Sequence, residues 1–543
     1  MKVSNSLSPN RRTLIFGIDG GTWSILDQFI ASGSMPNLAG LRQQGSWGVL
    51  NSIVPVNSAA AWSSILTGRK PEKHGIYDFL AWQPESGRRT SVNASWMPKP
   101  TILELMGDAG SVLALKIPMT YPAWKINGCM VSGLPTPDDE SAFTYPRNLA
   151  SRLNRLIKKG SAGKSWETAD DNRHQILDQM ERAHLSLERI TDKLLKMNEV
   201  DTCFVVARDV DELQHFFWDV LNGHDVYGYY PRIEAYFKQI DAYLGSMLDW
   251  AGAAARVVVL SDHGFGPVEA VWHLNDWLAA QGFLSFRPET DEAERELKFS
   301  DRVNYAVRRR LLRQVKRLGM KGNWLEHSLD KIKLNTQNHI DLGGIDWTNT
   351  QAYTGNVGEE YLPVYINLEG REPQGSVSFD QYHQVREEVL AALDRCQAPA
   401  VLTVHRAEEI FDIEDARHSA APDLVVETIS SSVQSDFAYN QPEVYENTGY
   451  RKACHRREGI FLLSGPDVAP QQISAELCDI PATVLAWMGL PVPSNFSGRV
   501  LQELIDGLTL TTTTASAAEV TRQYLSDKDE ANVRKKLESL GYM

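Results

Sequence analysis

Three stretches of the chain, Thr13–Ile18, Thr202–Ala207 and Val257–Leu260, are continuous apolar runs of strand length and rich in β-branched residues. They lack the strict polar alternation of a sheet with one wet face, so the pattern predicts strands buried on both sides in a parallel sheet. An acid follows each run closely: Asp19, Asp211 and Asp262. In open α/β sheets ligands bind beyond the carboxyl ends of the strands, so these acids are expected to meet on one edge although about 240 residues separate the first from the last.

Other patterns fill in the layers. Between Val54 and Gly68 a run of small residues with Trp62, Ile65 and Leu66 predicts a helix that starts at Ser58. Its unpaired N–H groups and dipole favour an anion there. Segments 112–117 and 129–133 read as further strands and 145–200 as mostly helical. The sheet pattern resumes at 362–367, 423–427 and 459–465. A closing helix is expected over 478–489, with Pro481 in its first turn and Gly489 at its C-terminus. The Thr511–Thr514 run reads as a flexible linker, and 526–540 as a short capped helix before Gly541.

Between 286 and 348 the character changes. The segment contains a basic amphipathic helix, Arg302–Arg317, with Arg308, Arg309, Arg310, Arg313 and Lys316 beside Val303, Val307, Leu311, Leu312 and Val315. We read it as an inserted helical cap. The expected organisation is a catalytic core over 1–285 and 349–507, the cap over 286–348, and a linker with C-terminal helix over 508–543. The fold class is α/β, a three-layer α/β/α sandwich around a mostly parallel sheet. The basic helix also permits a reading of another class, a protein that lies on an anionic membrane or partner.

Composition narrows this picture. Hydrophobic residues at 43% and charged residues at 23% are ordinary for a soluble globular protein. The net charge of −14 disfavours generic polyanion binding, so no specific nucleic-acid binding is expected. Five widely spaced cysteines without a CxxC pair argue against a disulfide framework. The apolar run after Arg11 and Arg12 is too short for a signal-peptide core, and no stretch suggests a transmembrane helix. The expected compartment is the cytoplasm.

The candidate chemistry rests on a few side chains. Asp211 and His215 are four apart on a predicted helix and can face one metal. His455 can complete a three-ligand set with the open position that a catalytic zinc keeps. A second ion can take Asp19, Asp262, His263 and the Ser58 oxygen. Each fragment alone also has a plain structural reading: a surface pair at 211 and 215, a helix N-cap at Ser58, a turn former at Asp19, a solvated basic loop around His455.

In this order the motifs resemble the alkaline phosphatase superfamily, most closely its type I phosphodiesterase/nucleotide pyrophosphatase branch and related bacterial phosphohydrolases and phosphomutases. The resemblance spans about residues 12–505. It is carried by Gly17 to Gly20 around Asp19, Val56 to Trp62 around Ser58 with Gly68, His74 and Gly75, Asp211 with His215, Ser261 to Phe265, and His455 to Phe461. Asp479 to Leu485 and Gly498 to Leu501 resemble the family's closing signature.

The resemblance implies two divalent metal ions, zinc with manganese as the alternative, one held by Asp211, His215 and His455 and the other by Asp19, Asp262 and His263. Ser58 is the implied nucleophile and bridges toward the substrate. The implied reaction is attack of Ser58 on phosphorus and hydrolysis of a seryl-phosphoryl intermediate, on a phosphodiester or nucleotide pyrophosphate, with phosphomonoesterase or phosphomutase activity as the alternative. Coordination to a cation favours the serine alkoxide, and two ions about 4 Å apart stabilise an in-line displacement. This branch usually has threonine at the position of Ser58 and proline at that of Ala60, which bears on substrate preference. A sulfatase is disfavoured, because Trp62 stands where its modification signal needs arginine. Asn57, His273, Asn275 and Arg371 are candidate substrate-binding residues. The expected partner is a small phosphorylated substrate.

Overall fold

The computed structural model describes residues 11–83, 88–137, 142–157, 169–287, 344–355, 358–396, 401–428, 433–436, 444–447, 453–514, 520 and 522–539. Most of the expected cap, including the basic helix over 302–317, lies outside the described residues.

The three apolar runs are the centre of a nine-stranded sheet. Thr13–Ile18 pairs in parallel with Thr202–Ala207 on one side and Arg256–Leu260 on the other. Val112–Leu115 and Gly128–Val131 extend it in parallel beyond Thr202–Ala207. On the other flank Glu458–Ser464 runs antiparallel between Arg256–Leu260 and Ser46–Asn51. All residues of the three central strands are buried, as the unbroken apolar pattern requires.

Neighbouring residues of one strand serve opposite helical layers. Phe16 packs on Tyr243 of the Tyr230–Ala251 helix, with ring centroids 5.5 Å apart. Gly17 faces Trp62 of the Ser58–Thr67 helix, where a Cβ would lie 2.8 Å from the indole and 2.9 Å from Val206. Glycine at 17 therefore lets this helix close onto the sheet. The closing helix is Asp479–Trp487, and Gly489 just beyond it takes a left-handed φ of 77°. These helices complete the expected three-layer α/β/α architecture.

A second sheet has its own apolar core. Its strands include Ala270–His273, Gly358–Glu359, Tyr361–Ile366, Val401–Arg406, Leu424–Thr428, Val433–Asp436 and Tyr445–Asn447. Leu362, Val364, Leu424, Val426 and Trp272 pack in that core, separate from the one beneath the central sheet. The runs at 362–367 and 423–427 thus do not resume the central sheet, and of the three later runs only 459–465 returns to it. An apolar run identifies a buried strand without specifying which sheet receives it. The two parts are joined by a ribbon in which Gly264–Pro267 pairs antiparallel with Ala453–Arg456.

The C-terminal helix, Asp527–Ser539, is where the sequence places it. The threonine run is not a bare linker: Thr512–Thr513 pairs in parallel with Val492–Pro493. β-Branched threonine fits such a strand, although a polar run carries no burial signal.

Candidate metal centre

The carboxyl ends of the central strands bring the scattered acids together. Asp19 directly follows its strand, and Asp262 comes one residue after its own. Asp211 and His215 lie on the Asp209–Leu221 helix that leaves Thr202–Ala207. His455 arrives on the ribbon strand Ala453–Arg456, opposite Phe265. Ser58 is the first residue of its helix. None of these seven residues is more than 2% exposed.

The distances form two overlapping sets. Asp211 Oδ1, His215 Nε2 and His455 Nε2 are mutually 3.7, 3.1 and 3.1 Å apart. His263 Nε2 lies 3.3 Å from Asp262 Oδ2, 4.0 Å from Asp19 Oδ1 and 3.9 Å from Asp211 Oδ1. Ser58 Oγ is 3.1 Å from the same His263 nitrogen. Serine and His263 therefore stand where the sets meet.

Partners on the far side of each imidazole define its tautomer. His215 Nδ1 donates to the Ala453 carbonyl at 3.0 Å and His263 Nδ1 to the Gly264 carbonyl at 3.1 Å. His455 Nδ1 faces Glu359 Oε2 at 2.9 Å. In its neutral form an imidazole has one N–H, so with the outer nitrogen engaged each ring turns Nε2 inward, where it can take a metal ion once deprotonated. The inward nitrogens of His215 and His455 lie 3.1 Å apart.

Charge points the same way. Asp19 Oδ1 and Asp262 Oδ2 are buried with no hydrogen-bond partner among the described residues, which is costly for a carboxylate. Burial, then the charges of Asp262 and Asp211, carry the Asp19 pKa well above its usual range. Burial pulls the His455 imidazole down, but Glu359 and Asp211 outweigh it and raise it to about 10. Burial lowers His263, with Asp262 opposing. Burial also works to raise Asp211, yet His215, His455 and His263 hold it below the usual carboxylate range. Two groups of donor atoms within 4.8 Å of one another result: Asp211, His263 and His455, and Asp19, Asp262 and His263. This mixture of imidazole and carboxylate donors fits divalent cations of the zinc or manganese type.

Neighbours of the ligands complete the centre. The Trp62 indole donates to Asp19 Oδ2 at 3.1 Å, and the Gly20 N–H donates to Asp262 Oδ1 at 3.1 Å. Gly20 has a left-handed φ of 66°, and a Cβ there would lie 2.6 Å from the Phe265 ring. Glu359 is the contributor with no sequence signal, because a two-residue strand has no periodicity to read.

The four candidate substrate-binding residues have structural engagements. Asn57 Oδ1 caps the Ala60 N–H at 3.0 Å and its amide donates to the Tyr77 carbonyl at 2.6 Å. It is the N-cap of the helix that Ser58 begins. Arg371 uses all five N–H groups inside the second part, on Glu372, Asp423, and the Ile366 and Ala416 carbonyls. Asn275 exchanges bonds with the Thr354 backbone at 3.0 and 2.8 Å. Buried His273 precedes the Leu274–Ala280 helix, and its N–H donates to the Val444 carbonyl. None of these bonds reaches the ligand sets.

At its carboxyl edge the central α/β sheet gathers buried carboxylates and imidazoles around a serine, a donor set able to hold divalent metal ions. A sequence profile of the type I phosphodiesterase/nucleotide pyrophosphatase family matches residues 13–451, and the chain belongs to that family of phosphoester hydrolases. Two solved structures share the fold. Human ectonucleotide pyrophosphatase/phosphodiesterase 5 is 12% identical, with a TM-score of 0.50 over 92% of this chain and 100% of its own. Phosphonoacetate hydrolase from Sinorhizobium meliloti, in complex with phosphonoformate, is 17% identical, with a TM-score of 0.50 over 87% of this chain and 94% of its own.

Proposed function

We propose that the protein hydrolyses a phosphodiester or nucleotide pyrophosphate through a covalent intermediate on Ser58, with Asp211, His215 and His455 holding one divalent ion and Asp19, Asp262 and His263 the other. The observation that carries this reading is the convergence of three inward-turned Nε2 atoms and two unpartnered carboxylate oxygens beside the Ser58 hydroxyl. When bound, the ions supply positive charge that favours the serine alkoxide and offsets charge on the attacking and leaving oxygens.

The chain's own groups do the rest. Asn57 fixes the start of the helix, and the first-turn N–H groups at Ser58 and Ala59 lack intrahelical acceptors, which favours an anionic phosphoryl group there. The Ser58 hydroxyl points at His263, so Oγ is held at the junction of both sets. Attack by Oγ forms the Ser58 O–P bond as the P–O bond to the alcohol or phosphate leaving group breaks. Water then attacks the same phosphorus, restores the serine and releases the phosphoryl product.

Zinc is the proposed metal, since three histidines with three aspartates suit it; manganese accepts the same donors. All five cysteines are free, in keeping with a reducing cytoplasm. Among the described residues no helix is long and apolar enough to cross a membrane.

The test is turnover of a diester, a monoester and a sulfate ester by wild type and Ser58→Ala at measured metal content. We expect diester turnover to lead and to fall at least about a thousandfold in the variant. Diester turnover that survives the substitution removes Ser58 from the reaction, and a monoester preference moves the assignment to phosphatase or phosphomutase.

A further inference from the structure

We infer that Glu359 is the positioning residue for His455, and that it makes the Asp211, His215 and His455 ion, but not the other, depend on the second sheet. The inference rests on the two-ion reading.

The three imidazoles are oriented by unlike partners. His215 and His263 are held by backbone carbonyls of the ribbon that joins the two parts, at Ala453 and Gly264. His455 is held by a carboxylate, and it comes from Gly358–Glu359 of the second sheet. A carboxylate on the outer nitrogen fixes the ring and raises the basicity of the inner one, which strengthens it as a ligand.

The arrangement of charge gives this partner a purpose. The second set has two carboxylates, Asp19 and Asp262. The first has Asp211 alone with two neutral imidazoles, and Glu359 brings the negative charge around that position to the same count. Glu359 is only 5% exposed, so its charge acts through little solvent.

Backbone geometry makes the contact a clamp. Glu359 Oε2 also accepts the His455 N–H at 2.5 Å, and the next residue, Glu360, accepts the Arg457 N–H at 2.7 Å. Consecutive side chains of a regular strand point to opposite faces. Here Glu360 has a left-handed φ of 60°, which breaks the alternation and lets both acids reach the strand that carries His455.

The experiment is an equilibrium zinc titration of metal-free protein against a chromophoric chelator, for wild type, Glu359→Gln, Glu359→Ala and Glu360→Gln. Wild type is expected to bind two equivalents. Both Glu359 variants should weaken one equivalent by about 10- to 100-fold and leave the other unchanged. Glu360→Gln, which keeps an acceptor for the Arg457 N–H, should match wild type and controls for local folding. Circular dichroism in chelator checks the fold, and the isosteric Glu359→Gln carries the test if the alanine variant does not fold. Two equivalents at wild-type affinity in Glu359→Gln, or both weakened alike, overturn the inference. Fewer than two equivalents in wild type overturn the two-ion reading and the inference with it.

Discussion

At the residue scale, function and stability are written in which ring nitrogen of each histidine holds its proton. At His215, His263 and His455 the outer nitrogen is engaged and the inner one is left for a cation. His74 makes the opposite use of burial. Its Nδ1 accepts the Ile76 N–H at 3.1 Å, so Nε2 carries the proton and donates to Ser64 Oγ at 2.9 Å. Charging the ring would place a proton where the Ile76 N–H already points. Burial, then the charge of Arg69, lowers its pKa from 6.5 to about 3. Below pH 6.5 the unfolded chain binds a proton that the folded chain refuses until about pH 3. His74 thus costs stability as pH falls through that window, by at most about 1.4 kcal/mol per pH unit. Chemical denaturation from pH 7 to pH 4 should show a shallower loss of stability for His74→Gln than for wild type. Equal slopes would contradict this account of the ring.

At the scale of elements, a feature was legible in the sequence where burial left a pattern long enough to read. Thr13–Ile18, Thr202–Ala207 and Arg256–Leu260 announce themselves because both faces are covered, and the acids that follow them inherit that placement. Gly358–Glu359 is too short for any period, so Glu359 was invisible. Asn57 and Arg371 carry polar groups suited to a phosphate, and their local partners, the Ala60 N–H and the Asp423 carboxylate, are contacts that chemical type alone does not reveal. The destination of 362–367 and 423–427 was hidden for another reason, since β-branched runs look alike in either sheet. The C-terminal helix shows how a weak pattern still docks. Val533 and Leu537 are fully buried, and Glu530 accepts the Ser91 N–H at 2.9 Å. Leu537→Ala should lower stability by about 2–3 kcal/mol, the lower part of the range for a buried leucine at a peripheral contact. Denaturant unfolding measures this, and a change below about 0.5 kcal/mol would mean that the helix contributes little to the fold.

At the scale of the whole molecule, the centre draws on both halves. The central sheet provides the acids and the serine helix, the connecting ribbon carries His455, and the second sheet reaches across with Glu359. In the proposed reaction phosphorus changes partners twice, first to Ser58 and then to water. Each in-line displacement inverts the phosphorus centre, so two restore it. The most direct measurement is the stereochemical course of hydrolysis of one diastereomer of a P-chiral thiophosphate diester in oxygen-18 water. The account predicts net retention at phosphorus; net inversion would show a single attack by water and contradict the covalent role of Ser58.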